Sequence, residues 1–130
     1  MSLISCKSDD DNSGNSNCEN QAIISAFQYS NATSDIFSLD SIEIAGDCVI
    51  ATISASGCDG ESWDFRLVDS DAIMESFPPQ RNLRLILSNN EACLAFLSRE
   101  FSFDITNLQV EGNTVILNID NTNESLSYTY

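Results

Sequence analysis

Three carboxylates fall close together at Asp59-Gly60-Glu61 and Asp64, and a second acidic pair, Asp69 and Asp71, follows Val68. Two kinds of chemistry suit such groups. A pair of carboxyls held about 5 Å or about 6.5–9.5 Å apart in a cleft can hydrolyse a glycosidic bond, one as acid and the other as nucleophile or base. Several carboxylate oxygens converging on one point can hold calcium. Spacing along the chain selects neither role, and a solvated acidic loop satisfies the same pattern. Asp59, Glu61 and Asp64 are therefore kept as a candidate ligand or cation loop. No catalytic residue, metal ligand or cofactor is assigned.

The residue types that are missing narrow the field further. The sequence contains no histidine, the commonest general base and transition-metal ligand. Neither a Ser–His–Asp nor a Cys–His site can be assembled, so an enzyme here would work with carboxylates alone. Asp and Glu number 20 against five Lys and Arg, a net charge of −15. Such a field repels phosphate backbones, so nucleic acid is not an expected partner. After Lys7 the only cations are Arg66, Arg81, Arg84 and Arg99. The acidic surface also serves solubility alone.

The five cysteines are Cys6, Cys18, Cys48, Cys58 and Cys93. With Cys6 set aside, four remain, an even number that fits two disulfides in an oxidising compartment. Of the three possible connectivities, Cys58–Cys93 with Cys18–Cys48 is favoured. Cys58 and Cys93 both fall in turns next to strands, and Cys18 falls where the chain enters the domain. Cys48–Cys58, across a ten-residue hairpin, is the rival. Each long loop so closed contributes about 3–4 kcal/mol in the chain-entropy treatment. A zinc site would need CxxC spacing or histidines, and neither is present.

The elements that must position these groups read as short strands. Ile36, Ile42 and Ile44 share a parity, and Gly46-Asp47 signals a turn. Val49, Ala51, Ile53 and Ala55 then alternate with Cys48, Ile50, Thr52 and Ser54. Trp63, Phe65 and Leu67 alternate with Asp64 and Arg66, and Leu83, Leu85 and Leu87 with Arg84 and Ile86. Phe101, Phe103 and Ile105 form a further strand, as do Val115, Leu117 and Ile119, and the chain closes on Leu126, Tyr128 and Tyr130. Asn20–Tyr29 and Glu91–Leu97 fit a short helix as well as a strand. Seven or eight strands with turns about every 8–12 residues predict an all-β fold: an antiparallel β-sandwich of immunoglobulin-like size, with a small closed barrel as runner-up. In that sandwich Trp63 is expected against the inter-sheet disulfide, and Tyr128 and Tyr130 either cap the core or face a ligand. Residues 21–130 are assigned to this domain and residues 1–20 to a tether.

The N-terminus carries a signal of address. Leu3-Ile4-Ser5-Cys6 resembles the lipobox of bacterial lipoproteins, in which the cysteine receives the lipid. No charged or long apolar stretch precedes it, so the intact leader is expected to be missing and Met1-Ser2-Leu3 to include residues added for expression. Lys7-Ser8-Asp9-Asp10-Asp11 is similar to the Lys-plus-acidic run that follows the anchor cysteine in surface lipoproteins of the Bacteroidetes type, and Asn12–Asn17 has linker composition. Asp9–Gly14 also matches the first half of an EF-hand calcium loop, but Asn20 stands where a bidentate Glu is needed. Within the domain, Ser56-Gly57-Cys58, Phe77-Pro78-Pro79-Gln80, Ala92-Cys93 and Phe103-Asp104-Ile105 resemble small uncharacterised lipoproteins of the same kind, a resemblance that implies no activity. Asp40-Ser41-Ile42 fits the short O-glycosylation pattern of exported Bacteroidetes proteins. The expectation is a non-catalytic domain, lipid-anchored through Cys6 at the outer membrane or cell surface, that binds or scaffolds a protein or glycan. A calcium-binding module and a carboxylate-based glycan hydrolase are the alternatives.

Overall fold

A computed structural model describes residues 18–130. The lipobox, the acidic tether and the half calcium loop at Asp9–Gly14 lie outside the described residues. Among the described residues nine strands form two sheets, with little helix. In chain order they are β1 (Asn20–Gln21), β2 (Ile23–Ile24), the helix α1 (Ala26–Asn31), β3 (Ser38–Ala45), β4 (Cys48–Gly57), β5 (Asp64–Met74), β6 (Gln80–Ser88), β7 (Ala95–Asp104), β8 (Thr114–Ile119) and β9 (Glu124–Thr129). One sheet has the order β9-β8-β6-β5-β2 and the other β1-β7-β4-β3. Neither closes on itself, so the fold is a sandwich and not the runner-up barrel.

The sheets are mixed, which corrects the antiparallel expectation. β6 and β8 pair in parallel, as do β2 with β5 and β1 with β7. The cause is topological. After β6 the chain crosses to the other sheet as β7, returns through 105–113, and re-enters beside β6 running the same way.

Alternation builds the core as the period of two requires. Val49, Ala51, Ile53 and Ala55 of β4, Leu83, Leu85 and Leu87 of β6, and Val115, Leu117 and Ile119 of β8 are all buried between the sheets. Phe65 is the hub of an aromatic group, with ring centroids 4.9 Å from Phe101, 5.9 Å from Phe103 and 5.3 Å from Phe37. Burial of each such ring is worth about 1.5–3 kcal/mol.

Three local expectations change. The strand expected from Ile36 begins at Ser38, and Ile36 is 92% exposed. A bulge between Leu39 and Ser41 resets the parity, so that Leu39, Ile42 and Ile44 all pack on the core. Asn20–Tyr29 holds both readings in turn, two short strands and then α1, whose N-cap Ser25 accepts from the backbone N of Gln28 at 3.1 Å. Glu91–Leu97 is not helical, and β7 starts within it at Ala95.

α1 packs against β5 on the outer face of the five-stranded sheet. Arg84 donates from Nη1 to the carbonyls of Tyr29 (2.7 Å) and Ala32 (3.0 Å), and Arg66 donates to Oε1 of Gln28 at 2.5 Å. Val68 and Ile86, which face out from this sheet, are thereby fully buried.

The strand directions sort the connections to two ends. The near end holds the entry at Cys18, the turn at Gly46-Asp47, the β5–β6 loop, residues 105–113 and the C-terminus. The far end holds the β4–β5 loop, the crossover 89–94 and the turn 120–123.

Candidate functional site

The candidate loop at Asp59 sits at the far end, and its backbone, not its acids, does the gathering. Glu91 reaches in from the crossover. Its Oε1 accepts from the backbone N of Cys58 (2.7 Å), Asp59 (3.2 Å) and Gly60 (2.9 Å), and its Oε2 accepts from the N (3.1 Å) and Oγ (2.7 Å) of Ser62. Five donors on one carboxylate form an anion-binding concavity, filled here by the protein's own side chain. The hydroxyl of Ser62 first, then the amides of Gly60, Cys58 and Ser62, hold the Glu91 carboxyl down at about 2.

The glycines make room for this. Gly60 has φ +75°, in the left-handed region that L side chains rarely adopt. A Cβ on Gly57 would lie 2.5 Å from Glu91 Oε1 and 3.1 Å from Trp63 Nε1. Trp63 is buried against both glycines, which flank Cys58, and its backbone N donates to Gly60 O at 3.2 Å. Cys58 is bonded to Cys93, two residues beyond Glu91, which closes the arrangement covalently. Arg99 donates to Gly60 O at 2.5 Å and lies 4.6 Å from the centre of the Phe101 ring.

The three acids singled out from the sequence do not converge. Asp59 turns back to accept from the N of Glu61 at 2.9 Å, Glu61 is exposed, and Asp64 pairs with Arg66 at 3.5 Å. Among the described residues no group of three or more His, Cys, Asp or Glu is placed to hold a metal. A small polar cleft, roughly 200 Å³, opens between the β5 and β7 edges beside Trp63, Asp64 and Arg99.

Asp69, noted from the sequence only as part of an acidic pair, is fully buried. Its Oδ2 accepts from Arg81 Nη1 at 2.8 Å and from the N of Asp71 at 2.8 Å, while Oδ1 has no protein partner. Arg81 also donates from Nε to the carbonyl of Leu108 at 2.9 Å. Burial pushes the Asp69 carboxyl up from its usual value, and the Asp71 amide and Arg81 oppose it. Asp71 itself has φ 62° within a break of register between β5 and β6.

The cysteines pair as favoured: Cys18 with Cys48 and Cys58 with Cys93. Cys18 thus already belongs to the sandwich, with Glu19 donating to Ser102 Oγ at 2.8 Å, so the domain starts slightly before residue 21. Tyr128 is fully buried and donates to Asp47 Oδ1 at 2.7 Å. Tyr130 exchanges two 2.8 Å bonds with the backbone of Val110. Both tyrosines therefore cap the core. Ser41 is exposed at the β3 bulge, and Asp40 beside it accepts from Ser54.

Glu91 is the residue that sequence reading missed. Its signal was two-part: glycines on both sides of Cys58, and an acid two positions before the cysteine expected to pair with Cys58.

No family model matches the sequence, and no curated protein matches it. Among solved structures, the fold is similar to that of a protein of unknown function (DUF1344) from Bacteroides vulgatus, with a TM-score of 0.53 and 15% identity. The match covers 85% of this chain and 56% of that one, so the present chain spans little more than half the neighbour's length. At this identity the likeness is one of fold alone.

Proposed function

We infer that this chain is the domain of an envelope lipoprotein, anchored through Cys6 at the outer membrane or cell surface, and that it binds or scaffolds a protein or glycan without catalysing a reaction. The observation that carries this reading is the cysteine pairing. The four cysteines of the sandwich pair with one another, Cys18 with Cys48 and Cys58 with Cys93, as they must if Cys6, in its lipobox-like setting, is to carry a lipid. Two such bonds suit an oxidising compartment outside the cytoplasm. The polar groups inside the domain support the non-catalytic part. Glu91, Asp69 and the four arginines each hold a loop, a helix or a partner strand in place. We read the sandwich as an immunoglobulin-like scaffold on its size and on the buried Trp63 beside Cys58. Mass spectrometry of the full-length protein taken from its native membrane tests the anchor. Acyl groups on Cys6 are expected, and a mature chain with unmodified Cys6 overturns the reading.

A further inference from the structure

We propose that the β5–β6 loop at the near end is a lipid-contacting foot, through which the anchored domain rests on the surface of an uncharged bilayer. This deepens the anchor reading and rests on it.

Three observations meet at one end of the sandwich. The first is an apolar projection. Phe77 is fully exposed, followed by Pro78 and Pro79, with Ile73 (43%) and Met74 (39%) also open to solvent. A groove of roughly 390 Å³ lies between this tip and residues 111–114. The second is where the tether joins. A relay of contacts runs from Cys18 to Asp47, from Asp47 to Tyr128, from Tyr128 to the Tyr130 ring at 5.0 Å, and from Tyr130 N to the carbonyl of Asn113 at the groove. The entry and the tip thus share the near end. The third is length. Cys18 lies twelve residues after Cys6. A segment of that length reaches at most about 40 Å. A domain held that closely turns a weak surface contact into an intramolecular one, with an effective concentration near the millimolar range.

The charges around the tip select the kind of lipid. Glu75 and Glu111 flank it, and no arginine or lysine lies among residues 71–80 or 105–114. An anionic surface would repel this end, whereas a zwitterionic one accepts an aromatic and aliphatic tip at the depth of the head groups. The same acids argue against two copies meeting tip to tip, because each would bring a net charge of −15 and its own Glu75 and Glu111 to the contact.

The test uses the full chain with its disulfides intact, coupled through Cys6 to a maleimide-bearing lipid in phosphatidylcholine vesicles. Coupling supplies the anchor chemically, so the result does not depend on whether Cys6 is lipidated in the cell. Phe77→Trp, a change at a fully exposed side chain, is compared with the parent protein in vesicles with and without brominated acyl chains. Trp63 is buried at the far end and serves as the internal control. The expected result is a loss of the added emission in brominated vesicles and a shift of it to shorter wavelength, with the parent emission unchanged. Equal emission of Phe77→Trp in both vesicle types, with co-flotation showing that the protein is anchored, overturns the proposal and leaves the tip to a protein partner.

Discussion

Two carboxylates hold this domain together by opposite physical means. Glu91 is only half-buried and is ringed by five donors, four of them backbone amides, so its charged form is favoured. Asp69 is wholly buried, with one oxygen shared between Arg81 and the Asp71 amide and the other without a protein partner. Its charged form is opposed by burial. The comparison teaches that acidity follows the count and aim of donors more than the presence of a neighbouring cation. Five donors lower the Glu91 carboxyl to about 2 at the surface. One guanidinium and one amide do not overcome desolvation at Asp69.

The largest effect should come from breaking the buried pair. Asp69→Ala or Arg81→Ala leaves one charge buried and unpaired, and urea melts should show a loss of about 3–5 kcal/mol. Replacing both together, with Asp69→Leu and Arg81→Met, should lose much less than the sum. A double variant that loses as much as the two single changes summed would mean that the two side chains act independently and not as a pair.

At the far end the covalent closure ranks next. Cys58→Ala with Cys93→Ala reopens a loop of 35 residues. The denatured chain then gains entropy worth about 4 kcal/mol. Gly57→Ala should cost about 1–3 kcal/mol, because the new methyl must displace either Glu91 Oε1 or the Trp63 ring. It should also move the Glu91 carboxyl back toward its ordinary range, which links the two measurements.

The pH dependence separates the two carboxylates by sign. Glu91 is depressed from 4.5 to about 2, so its contribution is present above pH 4.5 and is lost as the pH falls toward 2. Glu91→Gln should flatten that acid limb of the stability curve. Asp69 is raised, so its contribution is complete below the ordinary value of 3.8 and is lost as the pH rises through its folded value. The smallest effect expected is that of calcium. Asp59 and Asp64 are turned to separate partners and Glu61 is exposed, so millimolar calcium should leave the melting temperature unchanged. An upward shift would revive the cation-loop reading.

The strands of the core were legible because one face of each is buried and a period of two shows directly in residues such as Leu83, Leu85 and Leu87. The bulge at Asp40 was not, because nothing in Leu39-Asp40-Ser41-Ile42 marks an extra residue. The parallel pairing of β6 with β8 was hidden for a different reason. It depends on β7 leaving for the other sheet, and alternation names a strand without naming its neighbours. The disulfides were legible from parity and position. The role of Glu91 required knowing that Cys58 and Cys93 meet, since only then does an acid in a turn fall onto a loop of amides. Asp69 looked like a surface acid because its partner Arg81 lies on another strand, and the covering chain at residues 22–31 is too short to announce itself.

The most direct test of the two-carboxylate account is a carbon-detected NMR titration of the side-chain carboxyls. The account predicts Glu91 titrating near 2, below the other glutamates, and Asp69 titrating above the ordinary aspartate value. Glu91 titrating near 4.5 would contradict it, because five donors seen in the structure would then not be holding the charge.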